Sequence, residues 1–150
     1  MLNLNFGAGT SRKADYINVD YYTDADIKVD LSKPLPWQDN EVDNIIAVHV
    51  IEHFTRAEWE NASKEWVRIL KPGGVIEIYC PDILAVAKSF IRDPDDKYTM
   101  MQIYGLQAHP GEFHKNGFTA ESLTRSFPDL ISKTLPGTDD TELHMTFTKK

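Results

Sequence analysis

Short apolar runs alternate along this chain with longer segments whose apolar residues recur at helical spacing. Four runs in the first third, at residues 2–6, 17–20, 27–31 and 44–48, are each followed by glycine or a polar side chain. Such runs are typical of buried strands. The run at 44–48 is apolar enough to be covered on both faces, as strands of a parallel sheet are.

The clearest helix begins at residue 55. Thr55 and Glu58 fit a capping box, in which hydroxyl and carboxylate each satisfy a free backbone N–H group. One apolar stripe follows, made of Trp59, Ala62, Trp66, Ile69 and Leu70. Residues 71–74, Lys-Pro-Gly-Gly, are predicted to end this helix before a strand at 75–80.

The second half predicts further helices at 83–92, 97–104 and 120–127, then two strands at 131–135 and 142–148. Strands that alternate with helices indicate an α/β sandwich with a mostly parallel sheet. The connection at 7–16 is too short for a usual crossover helix. Strands 1 and 2 are therefore either antiparallel or joined by a loop with at most one helical turn.

Composition narrows the class of protein. The 150 residues predict a single domain over 1–150, and the net charge of −7 makes nucleic acid an unlikely partner. Cys80 is the one cysteine and ends an apolar run, which favours a buried, inert thiol in a reducing compartment. No signal peptide or membrane span is evident, so we expect a cytoplasmic protein with no membrane partner.

Polar residues and glycines collect where the predicted strands end. In open parallel sheets, ligands bind outside the carboxyl ends of the strands. Asp20 would suit a ribose, since a carboxylate accepts hydrogen bonds from two hydroxyls. A dinucleotide is disfavoured because Arg12 stands at the third glycine position of G-x-G-x-x-G, and no P-loop is present. The residues at these strand ends are Gly7, Gly9, Asp20, Asp30, His49 and Asp82.

Several segments, in this order, resemble class I S-adenosylmethionine-dependent methyltransferases, particularly a small, N-terminally minimal branch. They are LNFGAG at 4–9, NVD at 18–20, VDL at 29–31 with PLP at 34–36, HVIEHF at 49–54 and RILKPGG at 68–74. Pro81-Asp82 and the residues from Phe113-His114 to Gly117-Phe118-Thr119 fit the same branch. LKPGG after the long helix is the most specific piece.

The resemblance implies a Rossmann-like three-layer sandwich with a seven-stranded sheet of order 3-2-1-4-5-7-6, strand 7 antiparallel. It implies S-adenosyl-L-methionine as cofactor, with Gly7 and Gly9 at its methionine end and Asp20 on the ribose hydroxyls. Asp30 and Leu31 would lie along the adenine edge, and His49 beneath the cofactor. Asn5 is a further cofactor-binding candidate, although it stands where many members have an acid, and Ser11 replaces the third glycine.

Helices are reduced before and after strand 1, which would leave one sheet face exposed and apolar. We therefore expect a homo-oligomer, most simply a dimer.

The expected activity is methyl transfer to an unidentified small-molecule or glycan-like acceptor. His53 and His49 are candidate general bases, because histidine titrates near neutral pH. Asp82, His109 and His114 are candidate acceptor-binding residues, and the loop at 105–117 has the length of a lid. A metal at His109 and His114 has no third ligand evident, so none is predicted.

Two alternatives stay open. The chain could be a catalytically degenerate module that binds the cofactor and acts as a structural or regulatory partner. It could also be a nucleotide-binding enzyme outside methyl transfer.

Overall fold

A computed structural model describes all 150 residues and contains one seven-stranded sheet of order β3-β2-β1-β4-β5-β7-β6. The strands are β1 (Asn3–Phe6), β2 (Ile17–Asp20), β3 (Ile27–Lys28), β4 (Val42–Val48), β5 (Leu70–Pro81), β6 (Leu130–Leu135) and β7 (Glu142–Lys149). Strand β7 is antiparallel to both its neighbours, and the pairs from β3 through β5 are parallel. The predicted Rossmann-like order is confirmed.

Four helices accompany the sheet: α1 (Arg56–Ile69), α2 (Ile83–Arg92), α3 (Lys97–Tyr104) and α4 (Ala120–Ser126). Thr55 caps α1 through the predicted capping box with Glu58. Asp82 caps α2 by accepting a hydrogen bond from the Leu84 N–H. Short 3-10 turns at Ile51–His53 and Pro110–Glu112 lie beside the cavities described below.

The two faces of the sheet differ in chemistry. Cross-strand pairing lines up Val19, Phe6, Ala47, Ile78 and Met145 on one face, and these side chains are buried in the core with Trp66 of α1 and Leu123 of α4. The neighbouring row on the other face is mostly polar and consists of Asn18, Asn5, Ile46, Glu77, Thr146 and Lys133.

The expectation of an apolar exposed sheet face is therefore wrong. Large apolar side chains are exposed mainly on α2, α3 and the loop after them, and Ile131 of β6 is the exception on the sheet. On α2, Ile91 is 82% exposed and Leu84 is 55% exposed. The helical stripe predicted on α2 is present, but only Val86 is buried, because α2 packs mainly against α3 and not against the sheet.

Two local expectations are resolved by the structure. The β1–β2 connection is a loop without a helix, and the strands are parallel, so the loop alternative is correct. Residues 71–74 do not form a separate turn, because β5 begins at Leu70, directly after α1. A bulge accommodates them: β4 advances from Val42 to Asn44 while β5 advances from Leu70 to Val75.

Cys80 is fully buried, and burial raises the pKa of its thiol well above the ordinary value. This fits the expected inert role. No helix combines the length and the apolar character that a bilayer crossing requires.

Candidate functional site

A buried pair of amides holds the glycine loop that follows β1. The Asn5 side chain donates to Oδ1 of Asn18 at 2.9 Å and to the Ser11 carbonyl at 3.0 Å. Asn18 in turn accepts from the Lys13 N–H and donates to the Lys13 and Tyr16 carbonyls. These bonds fix the path of the loop where the usual crossover helix is absent.

Asp26 extends this network to the surface. Its Oδ2 accepts from the backbone and side-chain N–H groups of Asn18, and its Oδ1 pairs with Arg12. Backbone and side-chain hydrogen bonds from Asn18 hold the pKa of Asp26 below its ordinary value. Arg12, which stands where a dinucleotide-binding motif would have its third glycine, therefore helps to hold this loop through Asp26.

Asp20 ends β2 and fastens the same loop from the other side. Its Oδ2 accepts from the Gly9 N–H at 2.9 Å, and its Oδ1 accepts from the N–H groups of Tyr22 and Thr23. Burial alone would raise the pKa of Asp20, but these hydrogen bonds outweigh it and lower the pKa. Oδ2 keeps acceptor capacity for a ligand, since a carboxylate oxygen can take two hydrogen bonds.

Asp30 follows β3 and folds back on its own turn, where its Oδ1 accepts from the N–H and hydroxyl of Ser32. The Leu31 N–H makes no hydrogen bond within the chain. The segment after it is tied to α1, because Glu65 accepts from the Leu35 N–H while Arg68 donates to the Leu35 and Trp37 carbonyls. This tie fixes the wall that Asp30 and Leu31 form.

Two adjoining cavities open at the carboxyl ends of the strands. The first, about 410 Å³, is lined by Gly7, Gly9, Asp20, Asp30, Leu31 and His49, among others. The second, about 570 Å³, is lined among others by Asn5, Pro81, Gln102 and His114. Both include Gly7, Gly9, Thr10, His49, His53 and Glu112, so the two cavities meet along the glycine loop and the end of β4.

His49 lies between two carboxylates. Its Nδ1 is 3.2 Å from Glu52 Oε1, its Nε2 is 3.1 Å from Glu142 Oε1, and both glutamate side chains are buried. The hydrogen bond with Glu52 raises the pKa of His49 against the opposing effect of burial. Both ring nitrogens of His49 already face carboxylates, so neither is free to take a proton from a bound molecule, which argues against His49 as a general base.

His53 and His114 lie edge to face, with ring centroids 4.9 Å apart. Nδ1 of His53 is 3.2 Å from the Phe113 carbonyl, and Nδ1 of His114 is 2.7 Å from the Gln102 carbonyl. Burial lowers the pKa of His114. The two side chains therefore share one wall of the second cavity.

The loop between α3 and residue 114 covers part of the first cavity. Gly105 and Phe113 pair as an isolated bridge that closes the loop at its base. At the tip, the His109 ring contacts the Tyr22 ring, with centroids 5.0 Å apart. The position over the cavity fits the expected lid.

Most of the predicted site residues line one of the two cavities, but Asp82 lines neither, because its carboxylate is used to cap α2. Sequence reasoning missed Asn18, Glu52 and Glu142. Glu142 enters from β7, 93 positions after His49, and no local pattern could connect them. Glu52 lies in the segment HVIEHF, on which the resemblance partly rests, so the sequence could have marked it as a candidate site residue.

Comparisons with known proteins agree with this architecture. A sequence family described as a methyltransferase domain matches residues 10–78. A search of curated proteins finds no match.

Solved structures share the fold over nearly the whole chain. A SAM-dependent methyltransferase from Thermotoga maritima, described as a possible histamine N-methyltransferase, is 20% identical with a TM-score of 0.68, covering 99% of this chain and 82% of that one. One from Archaeoglobus fulgidus is 15% identical (TM-score 0.66; 98% and 85% covered). DhpI in complex with SAH is 14% identical (TM-score 0.66; 98% and 76% covered). These neighbours confirm the predicted fold, and the family match over residues 10–78 agrees with the resemblance to methyltransferases.

Proposed function

We propose that this chain, which has the class I methyltransferase fold, transfers the methyl group of S-adenosylmethionine to a small-molecule or glycan-like acceptor. The observation that carries the proposal is the cavity formed by the glycine loop, Asp20 and the turn after β3. It lies at the carboxyl ends of the strands, where open α/β sheets bind ligands.

The proposed cofactor runs along the shared wall of the two cavities. Gly7 and Gly9 let the backbone approach its methionine end, and the N–H groups of Gly7 and Thr10 make no hydrogen bond within the chain. Asp20 Oδ2 accepts from a ribose hydroxyl, and Asp30 with the free Leu31 N–H faces the adenine. Asn5 acts by holding the loop, since its amide is used within the protein.

The acceptor is proposed to enter the second cavity, toward His114, with His109 closing the first cavity from above. Gln102 supports this, because its buried Oε1 has no hydrogen-bond partner and can accept one from a bound molecule. The sulfonium is already activated, so the protein mainly aligns the acceptor and excludes water. Among the candidate bases, His53 is better suited than His49, whose two ring nitrogens both face carboxylates.

A second candidate function is cofactor binding without turnover. Asn5 favours it, because the position lacks the acid seen in many relatives and its amide donors are already engaged. Calorimetric titration with S-adenosylmethionine and S-adenosylhomocysteine tests both candidates. If neither compound binds, the proposal is contradicted. If S-adenosylmethionine binds and is converted to S-adenosylhomocysteine when a panel of acceptors is added, methyl transfer is supported.

We further propose that the chain forms a homodimer through the exposed apolar side chains of α2 and α3. Burial of Cys80 is compatible with the cytoplasmic location that we also propose.

A further inference from the structure

Three side chains with metal-ligand chemistry converge at the wall between the cavities. The carboxylate of Glu52 and the ring nitrogens of His53 and His114 offer one ligand atom each, all within 4.8 Å of one another. They come from two distant segments, the turn after β4 and the loop after α3. The set differs from the pair considered from sequence, His109 and His114, because His109 points to Glu112 and Tyr22 instead.

The carboxylate of Glu52 gives a second reason to expect a bound ion, apart from the convergence of the three side chains. The residue is 1% exposed, and its Oε2 is buried without any hydrogen-bond partner. An unpaired buried polar atom costs about 1–3 kcal/mol, and more when it is charged. Native proteins therefore pair such atoms with protein, water or an ion, and Oε2 of Glu52 lacks a protein partner.

The two histidines present the form that a metal binds. A carbonyl oxygen only accepts hydrogen bonds, so the contacts with Phe113 and Gln102 place a proton on Nδ1 of each neutral ring. Nε2 of each ring then keeps its lone pair. Metal-bound histidines characteristically donate their other N–H to a carbonyl or carboxylate in this way.

The backbone holds the cluster together before any ligand binds. The Glu52 carbonyl accepts from the N–H groups of Lys115 and Asn116, which fastens the segment after His114 to the turn after β4. His49 contacts the other carboxylate oxygen, Oε1, and is itself held by Glu142. This support orients the glutamate as outer partners orient metal ligands.

We propose that Glu52, His53 and His114 bind one divalent transition-metal ion. Two imidazoles and one carboxylate suit Zn²⁺, Fe²⁺ or Mn²⁺ better than they suit Ca²⁺ or Mg²⁺, which prefer all-oxygen sets. Around a tetrahedral ion with ligand bonds of about 2.1 Å, donor atoms lie roughly 3.3 Å apart. The donor atoms of this cluster lie within 4.8 Å of one another, so each pair must approach by at most about 1.5 Å when the ion binds.

A hydrogen-bonded cluster without an ion explains the arrangement less well. Nε2 of His114 is 4.0 Å from Glu52 Oε1, which is too long for a hydrogen bond. Such a cluster also leaves Oε2 of Glu52 unpaired. An ion among the three groups engages all of them.

Three protein ligands leave coordination positions open, and His53 lines both cavities. The ion can therefore take a hydroxyl or carboxylate oxygen of an acceptor and lower the pKa of that hydroxyl. This consequence rests on the proposed function, whereas ion binding itself does not. His53 then acts as a ligand and not as a free base.

The test uses the full chain, freed of metal with a chelator and dialysed, and titrated with Co²⁺ by visible absorption and with Zn²⁺ by calorimetry. The variants are His53→Gln and His114→Gln, and the matched control is His109→Gln in the same loop. Circular dichroism and thermal unfolding establish that each variant folds. Binding of S-adenosylhomocysteine, measured with chelator present, reports on the proposed function separately.

We expect the parent chain to bind one equivalent of Co²⁺ with ligand-field bands. The triad variants, His53→Gln and His114→Gln, should each lose at least about 100-fold in Co²⁺ affinity, and the control should not. Zn²⁺ should raise the unfolding midpoint of the parent chain and leave that of the triad variants unchanged. The proposal is overturned by absence of binding to the parent chain, by unchanged binding in folded triad variants, or by an equal loss in His109→Gln.

Discussion

The side-chain amide of Asn5 donates a hydrogen bond to Oδ1 of Asn18, 2.9 Å away, and joins the ends of the loop that carries Gly7 and Gly9. Both residues are buried, Asn5 at 2% and Asn18 at 4% exposure. The pair supports a connection between β1 and β2 that contains no helix. Its contribution to stability and binding can be measured directly.

Replacing Asn5 by alanine should destabilise the fold and weaken cofactor binding together. The change removes two hydrogen bonds, to Asn18 and to the Ser11 carbonyl, at a combined cost of about 1–3 kcal/mol. At this chain length the unfolding midpoint should fall by about 2–4 °C per kcal/mol. Asn61→Ala, on the exposed side of α1, is the control and should change neither property. Equal effects in both variants would contradict the supporting role of the pair.

Asp20→Asn should reduce the affinity for S-adenosylhomocysteine at least about tenfold, because an amide keeps one acceptor oxygen and loses the charge. Calorimetry provides the measurement, with Asp24→Asn in the exposed turn as the control. Asp20→Ala is a poorer test. It removes both acceptor oxygens of the Gly9, Tyr22 and Thr23 N–H groups, whereas asparagine keeps one of the two, so alanine should loosen the loop itself more.

Lowering the pH should remove the contribution that the ionised Asp20 side chain makes to the free energy of unfolding. Its pKa is lowered in the folded chain, so the contribution is present above the unfolded value of about 4 and is lost as the pH falls through the folded value. The difference in free energy of unfolding between the parent chain and Asp20→Asn should therefore shrink below about pH 4. Urea titrations between pH 3 and 6 measure it, and a constant difference would refute the linkage.

Gly7→Ala should cost more stability than Gly73→Ala. Both glycines have positive φ, +61° and +79°, so backbone strain is common to both. A Cβ at residue 7 would clash with Cγ2 of Val50, whereas at residue 73 it meets nothing within 4 Å. We expect an additional cost of about 1–3 kcal/mol for the overpacked site, measured by denaturant unfolding. Adding Val50→Ala should recover part of that difference, and no recovery would exclude the clash as its cause.

Light scattering tests the proposed dimer. The parent chain, 17.1 kDa as a monomer, should give twice that mass at micromolar concentration. Ile91→Lys, at the most exposed apolar position of α2, should shift the chain toward the monomer, because it places a charge in the proposed interface. Thr148→Lys, on the polar sheet face, is the control and should not. A monomeric parent chain would refute the proposal.

Local patterns predicted the elements well where the signal is contained in a few neighbouring residues. Thr55 with Glu58 located the start of α1, and the apolar stripe through Trp66 located its buried face. The same reasoning placed Lys71 to Gly74 in a turn, because proline and glycine usually interrupt regular structure. Pairing with β4 across a bulge overrode that preference, which only the assembled sheet reveals.

The site was predictable at the strand ends and not between distant segments. Gly7, Asp20 and Asp30 could be placed together because parallel strands deliver their carboxyl ends to one edge. His114 lies 62 positions after Glu52, and Glu142 lies 93 after His49. Those contacts depend on how the loop after α3 and strand β7 return to the sheet. The polar character of the sheet face opposite the core could have been predicted from the sequence. Asn5, Glu77 and Thr146 each alternate along their strands with apolar residues that face the core.

The bridge between Gly105 and Phe113 separates the part of the loop that lines the first cavity from His114, which lines the second. It pins the base of the loop, while the Glu52 carbonyl pins residues 115 and 116 beyond it. Between the two bridge residues, the segment 106–112 contacts the far wall of the first cavity through the rings of His109 and Tyr22. With the proposed cofactor in the first cavity, we expect its exchange to need a displacement of these seven residues alone, with His114 staying in place.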